Sequence, residues 1–135
     1  MDEAYTKILD VLRAYYDGLY RCDTLLLARV FHPEARYCTV SGGEFLHLDM
    51  QTYLPIVAER TSPETRGEPY GYQVDSIDFA GPDTALARIR STMWDRHFTD
   101  FLALIRLDGE WKIISKVFEF EPVDQRKPLR PAVSP

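Results

Sequence analysis

The sequence contains few of the residues that build metal and redox sites. Its 135 residues include only two cysteines and three histidines. Cys22 and Cys38 do not form a Cys-x-x-Cys pair, and the histidines lack the spacing of metal ligands. We therefore expect both thiols to be reduced and partly buried, and we expect the protein to use no metal and no cofactor.

Long apolar runs and an excess of positive charge are also missing. No apolar run approaches the roughly 18 residues of a membrane helix, and the acidic start of the chain, residues 1–5, does not resemble a secretory signal. The 16 Lys and Arg against 21 Asp and Glu give a formal net charge of −5. A nucleic-acid binder needs a basic surface instead. We expect a cytoplasmic protein that binds neither membranes nor nucleic acid.

Motifs that identify common catalytic mechanisms are absent as well. The chain has no GxSxG, GxGxxG, phosphate-loop or HExxH pattern. A serine hydrolase, a dinucleotide-binding enzyme and a zinc metalloprotease are therefore not predicted. Chemistry that needs only ordinary polar side chains in a dry pocket remains open.

The composition favours one globular domain. Hydrophobic residues make up 45% of the chain and aromatic residues 13%, which is enough to fill a core. We predict a single domain over residues 1–121. Residues 122–135 hold four of the nine prolines and almost no periodic apolar residues, so we predict an extended or disordered C-terminal tail.

Periodicity divides the domain into helices followed by strands. Apolar residues at helical spacing predict helices over residues 2–21, 24–31 and 50–60, the last two capped by Asp23 and Asp49. Alternating apolar residues between turn signals predict six strands, over residues 35–40, 44–48, 70–79, 84–94, 97–107 and 110–120. This order is typical of an α+β fold.

The turn at residues 108–109 decides which side chains of the last two strands share a face. A three-residue loop with the glycine in a left-handed conformation pairs Ile105 with Trp111 and Asp100 with Lys116. A two-residue loop would place apolar residues opposite charged ones. We prefer the first register because it pairs apolar residues with apolar residues and places opposite charges across from each other.

With a preceding turn at residues 95–96, both faces of the predicted sheet are largely apolar. One face carries a polar row, which consists of Ser91, Asp100 and Lys116, together with Met93, Phe98 and Phe118. The other face carries Phe101, Ile105, Trp111 and Ile113. Because neither face suits open water, we expect the helices to cover the first and a second copy of the chain to cover the other.

Four stretches of the chain form a combination that is characteristic of one superfamily. They are YYDGLY at 15–20, FHPEA at 31–35, RHFTDFL at 96–102 and DGEWKIISKVF at 108–118. The first two resemble the nuclear transport factor 2-like superfamily, and the last two resemble its lumazine-binding, polyketide cyclase-like branch. The resemblance covers nearly the whole domain.

The resemblance implies a cone of three helices on a strongly curved, mixed and mostly antiparallel sheet. Such proteins are usually dimeric, and the mouth of the cone opens onto an apolar pocket. Members include ketosteroid isomerase, scytalone dehydratase, limonene epoxide hydrolase, polyketide cyclases and non-catalytic transport or association domains. Membership does not fix an activity, and the Asp–His pairs of those enzymes are not matched here, so no catalytic role is transferred.

Asp100 is the most informative candidate residue. It lies in an apolar run, where a buried charge needs a partner. One interpretation is a structural ion pair with Lys116, supported by a hydroxyl of Ser91 or of a tyrosine. The other is a catalytic acid or base on the pocket floor, tuned by Lys116.

Several further side chains are candidates for the same pocket. Tyr15 and Tyr16 are either core residues or donors to a substrate carbonyl. His32 either fixes the loop at a helix end or acts as a general base at the pocket mouth. The remaining pocket candidates are Ser91, Met93, Phe98 and Phe118.

Two functions from different classes fit these observations. The first is a cofactor-independent isomerase, dehydratase or cyclase that moves protons on a hydrophobic substrate, with Asp100, Lys116 and His32 as catalytic candidates. The second is a non-catalytic dimeric module that associates with a partner or binds a flat ring, such as a pterin or lumazine. Both predict a hydrophobic or aromatic small molecule in the pocket.

Overall fold

The computed structural model describes residues 2–123, in which three α-helices and six strands form. The helices are α1 (Asp2–Arg21), α2 (Thr24–Val30) and α3 (Met50–Ala58). The strands are β1 (Phe31–Thr39), β2 (Leu46–Asp49), β3 (Tyr72–Phe79), β4 (Thr84–Met93), β5 (Arg96–Leu107) and β6 (Glu110–Pro122). Of the predicted tail, Pro122 ends β6, and residues 124–135 lie outside the described residues.

Two helices begin at the predicted aspartates. The side chain of Asp23 accepts a hydrogen bond from the Leu26 N–H at 3.1 Å, and that of Asp49 accepts one from the Thr52 N–H at 2.9 Å. Each bond satisfies a backbone donor that has no partner inside the helix. Both predicted caps are confirmed.

The junction between α2 and the first strand differs from the prediction. The helix ends at Val30, and β1 begins at Phe31 instead of residue 35. Pro33 lies inside this strand, where the pairing of β1 with β6 is irregular between Phe31 and Arg36. Because proline has no N–H to donate, a strand accommodates it where the ladder is interrupted.

All six strands belong to one open, mixed sheet with the order β2-β1-β6-β5-β4-β3. β1 pairs with β6 in parallel, and the other neighbouring pairs are antiparallel. The helices pack on one face of this sheet, called the inner face below, and the opposite face is called the outer face. This confirms the predicted α+β fold. None of the helices in residues 2–123 is long and apolar enough to span a bilayer.

Two tight turns set a strand register that differs from the predicted one. Asp108 and Gly109 have φ angles of 53° and 81°, and they form a two-residue turn between β5 and β6. Trp94 and Asp95, with φ angles of 52° and 61°, form a similar turn between β4 and β5. Positive φ at both positions suits the twist of the flanking strands. The predicted three-residue loop and the predicted turn at residues 95–96 are therefore wrong.

A bulge in β6 explains why the inner face is still largely as predicted. Leu104 pairs with Ile113, whereas Ala103 pairs with Ser115, so Ile114 is an extra residue in β6. Beyond the bulge, the register differs from the predicted one by two residues. A difference of two residues leaves every side chain on its predicted face.

Asp100 and Lys116 therefore share the inner face without being cross-strand neighbours. Asp100 pairs with Phe118, and Lys116 pairs with Leu102. The predicted pairing of Asp100 with Lys116 is wrong. The physical reason is that the extra residue lies inside β6, and not at the turn.

Between the turn and the bulge, the pairing of β5 with β6 differs from the predicted pairing by one residue. The β6 side chains in this part therefore lie on the face opposite to the predicted one. Trp111 and Ile113 are buried in the core of this chain, so the prediction that they form the outer face is wrong. Trp111 packs edge-on against Phe79, with 6.1 Å between the ring centroids. Ile105 and Phe101 do lie on the outer face, where Phe101 is 43% exposed.

Candidate functional site

A cavity of about 380 Å³ lies between the inner face of the sheet and the segment that follows α3. Aromatic side chains form much of its wall: Tyr37, Trp94, Phe98, Phe118 and Phe120. Its charged side chains are Arg60, Arg66, Arg96, Asp100 and Lys116. Both the volume and the mixture of aromatic and polar groups are typical of small-molecule pockets.

Asp100 lies in the wall of this cavity with one oxygen bonded and one free. Its side chain is only 3% exposed. Oδ2 accepts a hydrogen bond of 2.6 Å from the Tyr15 hydroxyl, while the buried Oδ1 has no partner among the described residues. A carboxylate oxygen without a hydrogen bond is costly in a protein interior. Asp100 therefore keeps one hydrogen-bond acceptor that no described residue uses.

The direction of the Tyr15–Asp100 bond follows from the electrostatics. Burial raises the pKa of Tyr15 well above its usual value, and the nearby Asp100 carboxylate raises it further. The phenol therefore stays protonated and donates a hydrogen bond to Oδ2. Since Tyr15 extends from α1 and Asp100 from β5, this bond joins the helical layer to the sheet.

Lys116 lies close by on β6 and is enclosed by aromatic rings. Its side chain is 4% exposed, and its Nζ lies 4.7 Å from the ring centroid of Phe118 and 5.2, 5.3 and 6.0 Å from those of Tyr15, Tyr37 and Tyr53. An ammonium group is attracted to the faces of such rings. Lys116 forms no salt bridge within residues 2–123. The ion pair with Asp100 that the sequence suggested is therefore not formed.

Burial makes the Lys116 ammonium a stronger acid than an exposed lysine. Desolvation lowers its pKa to about 8; the negative charge of Asp100 opposes this effect, and the positive charge of Arg60 adds to it. A group with this pKa is mostly charged at neutral pH and can still release its proton. The cavity thus holds a carboxylate with one oxygen that no described residue bonds, and an ammonium group that is more acidic than that of an exposed lysine.

The arginines at the cavity were not identified from the sequence. The guanidinium carbon of Arg60 lies 5.1 Å from the ring centroid of Trp94, and that of Arg96 lies 4.2 Å from the ring centroid of Phe120. Arg60 follows the C-terminal end of α3, and Arg96 is the first residue of β5. Nothing in their sequence neighbourhoods distinguishes them from surface arginines, because only the tertiary fold brings them to one cavity.

The remaining predicted site residues divide into two groups. Met93, Phe98 and Phe118 line the cavity. Tyr15, Tyr16, His32 and Ser91 are not among the residues that line it, although Tyr15 bonds to Asp100, which does. His32 accepts a hydrogen bond of 3.0 Å at Nδ1 from the Glu34 N–H, which is the loop-fixing arrangement.

Tyr16 and Ser91 lie elsewhere for reasons that the register and the helix geometry explain. The Tyr16 hydroxyl accepts a hydrogen bond of 3.0 Å from the Gly71 N–H, so it anchors the segment before β3. Ser91 pairs with Phe98 and is therefore not opposite Asp100. The predicted row of three adjacent polar side chains is not formed.

No metal site accompanies these groups: in the described part of the chain, no three His, Cys, Asp or Glu side chains come together as metal ligands would. Tyr53, which contributes to the aromatic enclosure, has a buried hydroxyl without a hydrogen-bond partner there. Its contribution was missed because α3 offers several apolar residues and no pattern distinguishes the one that faces Lys116.

Solved structures with this fold include two NTF2-like proteins of unknown function. The one from Silicibacter pomeroyi DSS-3 superimposes with a TM-score of 0.80 and 23% identity, covering 89% of this chain and 98% of its own. The one from Shewanella baltica OS155 gives a TM-score of 0.78 and 24% identity, covering 89% and 95%. These superpositions show that this chain has the fold of the NTF2-like proteins. More specifically, it belongs to the family described as "Putative lumazine-binding", whose profile matches residues 3–119.

A curated protein also resembles this chain. It is named "Aldolase FrzH" and comes from a Cladobotryum species. The two share 25% identity over 120 residues, which cover 87% of this chain and 92% of the relative. The resemblance to the nuclear transport factor 2-like superfamily and its lumazine-binding branch is thus confirmed, as is a relation to proteins that bind or convert small molecules.

Proposed function

We propose that this protein is a cofactor-independent enzyme that moves protons on a hydrophobic carbonyl compound, as an isomerase, dehydratase or cyclase does. The observation that carries the proposal is the buried Asp100 side chain, whose Oδ1 has no partner among the described residues, in the wall of a cavity that aromatic and charged side chains line. Burial strengthens the interaction of a carboxylate with a substrate proton, because less water competes for its oxygens, and Asp100 is only 3% exposed.

In the proposed reaction, Asp100 is the base and Lys116 stabilises the charge that develops. Oδ1 removes a proton from the carbon next to the substrate carbonyl, while the Tyr15 hydroxyl holds Oδ2 in place. The electron pair of the broken C–H bond forms a carbon–carbon double bond, and the π pair of the carbonyl group moves to its oxygen, which gives an enolate. The Lys116 ammonium lies in the same cavity and stabilises this enolate.

Three outcomes of the enolate require no further reactant. Return of the proton to another carbon gives isomerisation, loss of hydroxide from the β-carbon gives dehydration, and attack on a second carbonyl group gives cyclisation. An aldol reaction also proceeds through an enolate or its equivalent, so the name of the Cladobotryum relative is consistent with this chemistry. The common first step is proton abstraction, which is the step to test.

The test is incorporation of deuterium from heavy water into a panel of enolisable ketones: cyclohexanone, 2-tetralone and phenylpyruvate. We expect exchange with at least one of them, and we expect Asp100→Asn to slow it by about 100-fold or more, as the loss of a general base does. The matched control is Asp78→Asn, an exposed aspartate of β3 that does not line the cavity. Equal exchange by both variants would contradict the role of Asp100.

A second candidate function is ligand binding without turnover. The aromatic wall favours it, because Tyr37, Trp94 and Phe120 can stack on a flat ring such as a pterin. In that case a ring compound binds the wild-type protein and the Asp100→Asn variant with similar affinity, and neither exchanges deuterium with any ketone of the panel.

We also propose that two copies of the chain associate through the outer face. Leu86, Phe101 and Val117 are exposed there, and they are adjacent because Phe101 pairs with Val117 and lies next to β4. Such a group of apolar side chains favours an interface. Sedimentation at micromolar concentration should give a dimer, and Phe101→Lys should give a monomer. A wild-type monomer would contradict the proposal.

A further inference from the structure

The charge of the cavity is opposite to the charge of the whole protein. The chain carries a formal net charge of −5, yet four cationic side chains and a single anionic one line the cavity. The cations are Arg60, Arg66, Arg96 and Lys116, and the anion is Asp100. A positive cavity in a negative protein attracts anions selectively, since the surrounding surface repels them.

Arg66 does not contribute to this imbalance, because two carboxylates neutralise it. Its Nε lies 2.6 Å from Oε2 of Glu68, and its Nη2 lies 3.0 Å from Oδ2 of Asp95. Arg60 and Arg96 have no such partner: within residues 2–123 neither forms a salt bridge. Among the described residues, no carboxylate therefore lies within salt-bridge distance of these two guanidinium groups.

Aromatic rings hold these two guanidinium groups in place. Arg60 lies over Trp94 and Arg96 over Phe120, at the centroid distances given above. A guanidinium group over the face of a ring still carries several N–H donors at its edge. Trp94, which contacts Arg60, lies in the turn between β4 and β5, and Arg96 is the first residue of β5. The two guanidinium groups therefore approach neighbouring parts of the cavity wall, and the positive charges of both oppose the burial that raises the pKa of Tyr37.

We propose that Arg60 and Arg96 form a subsite for a carboxylate of the ligand, so that the protein takes a small aromatic or apolar carboxylic acid. This rests on the proposed function only for the location of the reactive carbonyl, which would lie near Asp100 and Lys116. A planar carboxylate matches the paired N–H donors of a guanidinium. The aromatic wall and the volume of about 380 Å³ fit a compact acid with a single ring.

The test compares an acid with its neutral amide and does not depend on catalysis. Benzoylformate has an aromatic ring, a ketone and a carboxylate but no hydrogen on the carbon next to the ketone, so it cannot enolise. Benzoylformamide has the same shape without the charge. By isothermal titration calorimetry we expect the acid to bind the wild-type protein at least about 10-fold more tightly, and we expect added salt to reduce the difference.

Variants then assign the preference to the two arginines. Arg60→Gln and Arg96→Gln should each weaken acid binding about 10-fold and leave amide binding nearly unchanged. The matched control is Arg90→Gln, because Arg90 binds Asp75 and does not line the cavity. Circular dichroism checks that each variant is folded. If a variant does not fold, the acid–amide comparison and its salt dependence on the wild-type protein still decide.

Several results would overturn the inference. Equal affinity for acid and amide would show that the cavity has no anion subsite, and unchanged acid binding in both variants would place the subsite elsewhere. Tighter binding of phenylphosphonate than of benzoylformate would assign the subsite to phosphate-like groups instead of carboxylates. The proposed function fails separately: without deuterium exchange, the acid preference can still hold, and it should persist in Asp100→Asn.

Discussion

The two faces of the sheet hold their charged side chains in different ways. On the outer face, Asp75 binds Arg90 at 2.8 Å and Arg88 at 3.1 Å, so these charges are paired and in contact with water. On the inner face, Asp100 and Lys116 are buried, and within residues 2–123 neither forms a salt bridge and Oδ1 of Asp100 has no hydrogen bond. In the outer cluster, the carboxylate and both guanidinium groups are paired with each other, as in a structural contact. The inner groups retain unused capacity to bind, which is typical of a functional site.

The largest effect on stability is expected from the single bond that Asp100 makes. Tyr15→Phe removes the donor to Oδ2, so that neither oxygen of the buried carboxylate is bonded within residues 2–123. We expect the free energy of unfolding to fall by roughly 1.5–3 kcal/mol, as for hydrogen bonds to charged groups. Urea unfolding at pH 7 measures this change.

The matched control lies on the outer face. Asp75→Asn disrupts a cluster with partly exposed arginines, and it should lower the free energy of unfolding by less than about 1 kcal/mol, in a way that salt reduces. If Asp75→Asn were the more damaging of the two substitutions, the contrast between the buried inner charges, which form no salt bridge in residues 2–123, and the paired outer charges would be wrong.

A smaller change of opposite sign in the free energy of unfolding is expected when Lys116 is substituted. Lys116→Met keeps the aliphatic bulk and removes a buried charge that has no salt bridge in the described residues, so it should stabilise the protein at pH 7 by roughly 1–3 kcal/mol. The loss of the attraction between the ammonium and the four rings offsets part of the gain.

The difference in stability between the wild-type protein and Lys116→Met should depend on pH, and this dependence tests the prediction. The pKa of Lys116 falls from 10.5 to about 8 on folding. Between these values the unfolded chain binds more protons than the folded one, so wild-type stability rises with pH relative to Lys116→Met. The advantage of the variant should shrink above pH 8 and vanish near pH 10.5. A difference that stays constant over this range would show that Lys116 has an ordinary pKa.

The sequence pattern was sufficient for the architecture and for the inner-face location of two site residues. The caps at Asp23 and Asp49 and the alternation along the long strands depend on local chemistry, which sequence patterns report well. The placement of Asp100 and Lys116 on one face was correct for a weaker reason. Because the true register differs from the predicted one by two residues beyond the bulge, it preserves the faces.

The errors came from features that are not local. A two-residue turn at Asp108 and Gly109 looked unfavourable because it places Ile105 opposite Lys112, but a bulge farther along β6 compensates for it. Ile113 before the bulge and Lys116 after it are both buried, and no turn residue near the bulge signals this arrangement. The same limit applies to Arg60 and Arg96, which reach the cavity through the tertiary fold alone.

Deuterium exchange into phenylpyruvate at pH 7, compared between the wild-type protein and Asp100→Asn, tests most directly whether the free carboxylate oxygen is a base. This ketone combines an enolisable carbon with the carboxylate that Arg60 and Arg96 are proposed to bind. We expect exchange by the wild-type protein and a loss of about 100-fold or more in the variant. Exchange that is undiminished in Asp100→Asn, while the variant remains folded and binds benzoylformate, would contradict the role of Asp100 as the base.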